Sequence, residues 1–392
     1  MTEHMTLWEQ MASGRPAGQP TYHRPPALNG RAIELPWVGL GLLDVPEKAL
    51  AEHLRGKSLT ERLSTLVTSV CGITRHEPHD LLGPHHVSPS IRGVRVTELE
   101  AQWTTGAAER YDPVAHAWII RSEEPRNAPV PRRLTLTVDC SRVPEGYAPI
   151  REMVGLLEAG MYLATMTWLA GYLLPEWSVS PQQIPESPTT HCLLWPMVGL
   201  HAPGEPVAAT PPASRLSGLL RTLADPLPHN SDTTVAALLR QRSSGRGPWG
   251  VTPRRRSPDQ RDAARSLLQH AAGQWQSPHG MRVHFMSSTT LGEAFSYPAD
   301  RVDVASGDFA MVWVARRRDD DPIAARLSLL EAGAHFMRLA FVAAGAGLFL
   351  RPARSVDPVR LLKALRLDDE KVVVLTAFCG KDSYDELTLW LA

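Results

Sequence analysis

The sequence predicts an α+β fold made from one unit used twice in tandem, with antiparallel-rich sheets flanked by long buried helices. Three observations carry this. Leu156-Leu-Glu-Ala-Gly160 recurs as Leu329-Leu-Glu-Ala-Gly333, and each copy opens a long apolar run. A short β-rich segment precedes each run, Leu134–Asp139 in one case and Phe309–Val314 in the other. The other elements keep the same order on both sides. An amphipathic helix lies around Leu59–Val70 and Asp262–Ala271, and a turn with alternating residues after it at Tyr111-Asp-Pro113 and Tyr297-Pro298. A closing strand lies around Leu193–Val198 and Val372–Phe378. The pentapeptide alone is a common helical string. Five elements in one order, twice, make duplication the reading.

The chain of 392 residues then divides into an N-terminal extension (1–57), a first repeat (58–205), a linker (206–230) and a second repeat (231–392). Each repeat has about the size of an ordinary domain. The linker rests on a turn-rich stretch from His201 to Asp232 containing Ala202-Pro-Gly-Glu-Pro206, Pro211-Pro212 and Asp225-Pro-Leu-Pro228. Ser231 or Asp232 is the expected N-cap of a short helix over Val235–Arg240. An apolar share of 43% permits a sizeable core and excludes wholesale disorder. The 41 basic and 41 acidic side chains remove the footprint of a non-specific nucleic-acid binder, so any basic patch is local. Cys71, Cys140, Cys192 and Cys379 lie far apart, which indicates neither a zinc ribbon nor a disulfide framework. The N-terminus carries acids and no apolar core of a signal peptide. Two apolar stretches, Ala159–Leu174 and the run between Arg338 and Arg351, fall short of the ~18–20 residues that span a bilayer and read as buried helices. The expectation is a cytoplasmic protein with no membrane or nucleic-acid partner.

Most catalytic signatures are missing. The region from His76 to Ser90 holds His76, His79, His85 and His86, but Pro78 and Pro84 argue against a helix presenting them together. His-Glu-Pro-His is not the spacing of zinc hydrolases, so a loop or lid without a metal is expected. After the short helix comes Arg240-Gln-Arg242-Ser-Ser244-Gly-Arg246-Gly247. Arg242, Ser244 and Arg246 alternate, so in an extended segment they point one way, and two guanidinium forks with a hydroxyl suit a phosphate. A solvated basic loop is the plain alternative. Arg254-Arg-Arg256-Ser257 lacks the second basic position, and Arg316–Arg318 is neutralised by Asp319–Asp321. A second cluster, Ser88-Pro89-Ser90-Ile-Arg-Gly93, pairs a small donor at Ser90 with a glycine that lets a flat ring approach the backbone.

Together these residues resemble the nitroreductase-type FMN flavoproteins, and more narrowly the SagB-like azoline dehydrogenases of ribosomal-peptide and thiopeptide biosynthesis. The matching segments are Arg242-x-Ser244-x-Arg246, Val70-Cys-Gly-Ile-Thr-Arg75, Pro89-Ser-Ile-Arg-Gly93, Tyr111-Asp-Pro-Val-Ala-His-Ala117, the repeated Leu-Leu-Glu-Ala-Gly, and Asp357-Pro-Val-Arg-Leu-Leu-Lys-Ala-Leu with Gly380-Lys381. They run from about Ser58 to Lys381. The resemblance implies a tandem-duplicated nitroreductase-like fold, an intramolecular pseudo-dimer, with FMN between the halves. One half supplies the phosphate arginines and the other the Pro-Ser turn. Arg351 or Arg354, with Lys381, completes the phosphate pocket by the same resemblance. It also implies oxidation of peptide thiazolines or oxazolines to azoles, with an azoline-containing precursor peptide and a cyclodehydratase as partners.

The departures matter as much. The first repeat has the Pro-Ser turn but offers only Arg24 and Arg31 as arginines; the second has the arginines but reads Ser277-Pro-His-Gly-Met281 at the turn. One composite FMN site and one decayed site are therefore expected. A Lys-Tyr pair of the family is reduced to Tyr147, with Gly146 in place of the lysine, and to Asp319 and Asp320 in the second repeat. Tyr147 is the one candidate base, and a core tyrosine is the equal alternative. Two rival functions stay open: a flavin-dependent reductase of quinones or nitroaromatics, and a flavin-free scaffold that binds a precursor peptide or partner enzyme.

Overall fold

The computed structural model describes residues 31–76, 84–89, 95–103, 109–120, 130–143, 147, 150–181, 194–204, 213–225, 227, 232–242, 244, 251–296, 299, 302–319, 321–353, 355–382 and 389–390. The chain enters through β1 (Arg31–Glu34) and α1 (Glu47–His53) and continues into α2 (Leu59–Cys71). A capping box starts α2: the Ser58 hydroxyl accepts from the Glu61 N–H while the Glu61 carboxylate accepts from the Ser58 N–H. There follow β2 (Ile73–His76), β3 (Pro84–His86), β4 (Thr97–Gln102), β5 (Glu109–Asp112), β6 (Ala117–Ile120) and β7 (Arg133–Asp139). The helix α3 (Arg151–Leu173) and strands β8 (Ser178–Pro181) and β9 (Leu194–His201) close the first half. The second half comprises α4 (Ala213–Ala224), α5 (Val235–Gln241), α6 (Pro258–Gly273), β10 (Arg282–Met286), α7 (Ser288–Ala294), β11 (Phe309–Arg316), α8 (Pro322–Gly345), β12 (Phe349–Ala353), α9 (Pro358–Ala364), β13 (Lys371–Gly380) and β14 (Leu389–Trp390).

The sheets bear out the duplication. One runs in the order β1-β6-β5-β4-β7-β9-β8 and another in the order β10-β11-β13-β12, antiparallel throughout. The four strands β4-β7-β9-β8 repeat the connectivity of β10-β11-β13-β12, with α3 and α8 in the same place between the second and third strands of each series. β1, β5 and β6 are additions to the first copy. The Tyr111-Asp-Pro-x-x-His motif closes its β5–β6 hairpin. Asp112 Oδ1 accepts from the N–H groups of Val114 and Ala115, and the Tyr111 hydroxyl donates to His116 Nδ1 at 2.8 Å. His116 then donates through Nε2 to the Ser64 hydroxyl at 2.9 Å, so this serine faces a donor and is not an activated nucleophile.

The two halves meet along α3 and α8. Gly160 faces the carbonyl oxygen of Leu330, and Gly333 faces the carbonyl oxygen of Leu157; a Cβ on either glycine would lie 2.1 Å from that oxygen. The fifth residue of each Leu-Leu-Glu-Ala-Gly copy thus sits on the second residue of the other. Such reciprocal contact is the signature of an isologous, two-fold interface. Trp168 and Phe341, at equivalent positions further along, touch each other with ring centroids 5.0 Å apart. One apolar core runs through both halves, and a smaller one lies under α7 and α9 on the far face of the second sheet. β14 of the second half crosses over to pair with β2 of the first.

Four expectations are corrected. α3 and α8 are long and apolar enough to cross a membrane, and both of these stretches are wholly buried in protein. The linker contains α4, because Leu216, Leu219, Leu220 and Leu223 form an apolar helical stripe that buries against α3 and α8. The N-cap of α5 is Thr234, whose hydroxyl accepts from the Ala237 N–H. The histidine-rich region is framed by paired strands, β2 and β3, with 77–83 outside the described residues.

Candidate functional site

α5 is short because only Val235, Ala236, Leu238 and Leu239 anchor it, and it ends at Arg242. Arg242 is the C-cap residue and is only 2% exposed. Its Nη1 donates to the Ser244 hydroxyl at 3.0 Å, and its Nη2 donates to the backbone carbonyl of His86 at 3.3 Å. From β12, Arg351 Nη1 donates to the backbone carbonyl of Ser244 at 3.0 Å. Three residues singled out in the sequence, Arg242, Ser244 and Arg351, therefore meet at one point, and Arg242 reaches across to the first half. The segment that it touches leads directly into Ser88 and Pro89. Ser88 lies fully buried with its hydroxyl 3.4 Å from that of Thr165 on α3, and Pro89 is half-buried.

Other candidates fall elsewhere. Lys381 is exposed just beyond β13; its carbonyl accepts from the Arg254 N–H, and no hydrogen bond among the described residues joins its side chain to the cluster. Tyr147 is half-buried against the main core ahead of α3. Ser90, Gly93, Arg246 and Arg354 lie outside the described residues.

Sequence reasoning missed one residue of the cluster as a partner of Arg242: His86. Its Nδ1–H donates to the Gly72 carbonyl at 2.9 Å. Burial, followed by the Arg95 guanidinium and then His85, pushes its pKa down to about 3, so the ring is neutral. The signal available was its place three residues before Pro89, masked by the pairing with His85 that suggested a metal.

The pseudo-two-fold relation lets the opposite end of the interface be compared position by position. α1 is the counterpart of α5: each precedes an amphipathic helix, and their N-terminal residues Pro46 and Thr234 form a bridge. The C-cap of α1 is Leu54, buried, where α5 ends in Arg242. On α8, Arg338 stands where α3 has Thr165, and His335 where α3 has Tyr162. Instead of the small Ser88, Trp275 packs there, stacked on His335 at 4.6 Å and donating from Nε1 to Glu331 at 3.0 Å. The remaining cavity beside Trp275, His335, Arg338 and Asp225 is about 200 Å³, below the roughly 300–1,000 Å³ of ordinary ligand pockets. The equivalent glutamates do equivalent work: Glu158 accepts from the N–H groups of Val96 and Thr97 at 2.7 and 3.0 Å, where β4 begins.

The donors at the Arg242 end fit the phosphate of FMN. A buried guanidinium, a serine hydroxyl and a second guanidinium are all donors, and here they bind neutral oxygens, which a phosphate outcompetes for charge-assisted bonds. At the opposite end the leucine cap removes that fit.

With the geometry in view, the architecture is the nitroreductase-like α+β fold. A solved structure of a presumed nitroreductase from Anabaena variabilis aligns over 95% of this chain and 96% of its own, with a TM-score of 0.58 and 12% identity. Two others align over shorter spans. A presumed nitroreductase from Exiguobacterium sibiricum in complex with FMN aligns over 40% of this chain and 92% of its own, with a TM-score of 0.31 and 15% identity. An enone reductase of gut-bacterial fatty acid saturation aligns over 39% and 90%, with a TM-score of 0.31 and 14% identity. No family model and no curated protein matches the chain.

Proposed function

We propose that this chain is a flavin-dependent oxidoreductase that holds one FMN between its two halves, the phosphate bound by Arg242, Ser244 and Arg351. The observation that carries the reading is the buried Arg242 at the end of α5, bonded at once to Ser244 of its own half and to the His86 carbonyl of the other. The leucine cap at the opposite end supports a single site. The finer reading, from the resemblance of the motifs, is a dehydrogenase of peptide thiazolines or oxazolines that acts on an azoline-containing precursor peptide after a cyclodehydratase.

An FMN held by Arg242, Ser244 and Arg351 would supply a hydride acceptor, with dioxygen as terminal oxidant taking up that hydride and the proton released from the ring to give hydrogen peroxide. The chain's own part is to fix the phosphate where the end of α5 meets the His86 segment and β12, and to hold the azoline ring so that its α-proton and hydride both leave. The dihydro ring loses both and becomes aromatic. Tyr147 remains the proposed proton acceptor from the resemblance alone; Tyr147→Phe with unchanged azole formation removes it.

Two measurements test the reading. Purified protein saturated with FMN is expected to absorb near 450 nm, about where free flavin does, with one flavin per chain. An azoline peptide incubated with it is expected to lose about 2 Da, one hydride and one proton. A colourless protein after FMN saturation overturns the flavin, and a ratio of two overturns the single site. Turnover of a nitroaromatic with NADPH, without action on azolines, overturns the finer reading in favour of a reductase.

A further inference from the structure

The cavity at the far end of the interface is built from three helices. Thr222 and Asp225 stand at the end of α4, Trp275 just past α6, and His335, Arg338 and Val342 along α8. Its volume of about 200 Å³ falls short of what a flavin needs, whereas about 150 Å³ is enough to hold benzene. A compact apolar group of about four to six carbons therefore fits.

Arg338 is particular to this end, since α3 has Thr165 at the equivalent position. It is 8% exposed, and its Nη1 donates to the backbone carbonyls of Leu223 and Asp225 at 3.2 and 2.9 Å. Those bonds hold the guanidinium against the end of α4, with Cζ 5.9 Å from the centre of the Trp275 ring. Burial lowers the pKa of Arg338 from its usual value, and the carboxylates of Asp225 and then Glu47 oppose that shift; it stays a cation. His335 lies one turn earlier on α8 and is 2% exposed. Its Nδ1 accepts from Trp313 Nε1–H at 3.4 Å, which puts the ring proton on Nε2, away from Trp313. Nε2–H has no hydrogen-bond partner among the described residues. Burial, then Arg338, pushes the pKa of the ring down to about 3, so it is a neutral donor. A buried donor without an acceptor is costly, and a ligand that brings one relieves that cost.

The α8 wall of the cavity thus carries two donors three residues apart, beside apolar Val342 and the indole of Trp275. A cationic ligand would meet the guanidinium, and an uncharged one would gain less from it than an anion does. Asp225 is exposed, where water and salt screen its charge. We infer that this cavity binds a small carboxylate with a compact apolar body, its oxygens taking hydrogen bonds from Arg338 and His335 Nε2–H. The site is separate from the proposed FMN site and does not rest on the flavin reading.

The test uses three molecules of one shape, isovalerate, isovaleramide and isoamylammonium, titrated against the full chain and followed by ligand-observed NMR. Isovalerate is expected to saturate with a Kd at or below about 1 mM, and isovaleramide to bind about 10-fold more weakly or worse. Isoamylammonium is expected not to bind. Thr222→Phe, which fills part of the cavity and leaves Arg338 in place, is expected to abolish isovalerate binding. Arg242→Met, at the other end of the interface, is expected to leave it unchanged. In the wild-type protein the Arg338 Nε–H resonance is expected to shift with isovalerate and to stay put with isoamylammonium, a readout that needs no variant to fold. No saturable isovalerate binding, equal binding of the amide or the ammonium, undiminished binding by Thr222→Phe, or an unmoved Arg338 resonance overturns the inference. Binding lost in Arg242→Met assigns the carboxylate to the arginine cluster and overturns it as well.

Discussion

Arg242 is the residue on which most depends, because a guanidinium is buried at a helix end only where its donors have acceptors. Replacing it with methionine keeps volume and removes the fork. FMN affinity is expected to fall about 10–100-fold, the worth of one or two charge-assisted hydrogen bonds, read from quenching of flavin fluorescence on titration with the protein. Glu331 makes a second prediction at this scale. Burial between the helices raises its carboxyl to about 7 from the usual 4.5, against hydrogen bonds from Ser277, Trp275 and the His279 backbone that favour the charged form. Between those values the folded protein holds a proton that the unfolded chain has lost, so stability falls as pH rises from about 4.5 to 7. The loss is up to about 3 kcal/mol. Glu331→Gln is expected to flatten that slope in urea unfolding curves collected at pH 5, 6 and 7.5; an unchanged slope refutes the assignment.

Among the elements, α3 and α8 decide the fold through what their glycines omit. Gly160 and Gly333 each lie against a backbone carbonyl that cannot move like a side chain. Gly160→Ala and Gly333→Ala are each expected to cost about 1–3 kcal/mol or more. The double variant is expected to cost less than the sum, since one widening of the helix pair relieves both clashes. Gly171, near the end of α3, has open space around it, and Gly171→Ala is expected to be neutral or stabilising by up to about 1 kcal/mol. Denaturant melts of the four variants against the wild-type protein decide this. The helices themselves were legible from the repeated pentapeptide and apolar runs. α4 was not, because prolines on both sides disguised its leucine stripe as linker. The strand character of β2 and β3 was hidden too: neither has an alternating pattern, and β2 is held by β14, far away in the sequence.

At the scale of the molecule, the halves are one body. Arg326 of α8 is fully buried and donates from Nε to the partly exposed Glu152 of α3 at 2.7 Å, joining the halves by an ion pair at the edge of their shared core. Arg326→Met leaves the partly exposed Glu152 without that partner, and a loss of about 1–3 kcal/mol in unfolding free energy is expected, in a single transition for both halves. Two separated transitions would show that the halves fold independently. Broken symmetry is the other property of the whole. Arg242, Ser88 and Tyr162 stand at one end, whereas Leu54, Trp275 and His335 stand at the corresponding positions at the other.

The sequence by itself determined the repeat, the order of elements in each copy, the two central helices, and the segments able to carry a phosphate site. These are local or periodic properties, written in spacing and residue type. Only the tertiary structure decided which segments meet. Nothing near Arg242 in the chain announces the carbonyl of His86 or Arg351, and nothing near Trp275 announces that its ring replaces a serine of the other copy. Lys381, equally cationic in sequence, ends exposed past the end of a strand. Contacts between residues more than a hundred positions apart depend on how α3 packs on α8, and that packing belongs to the folded core as a whole.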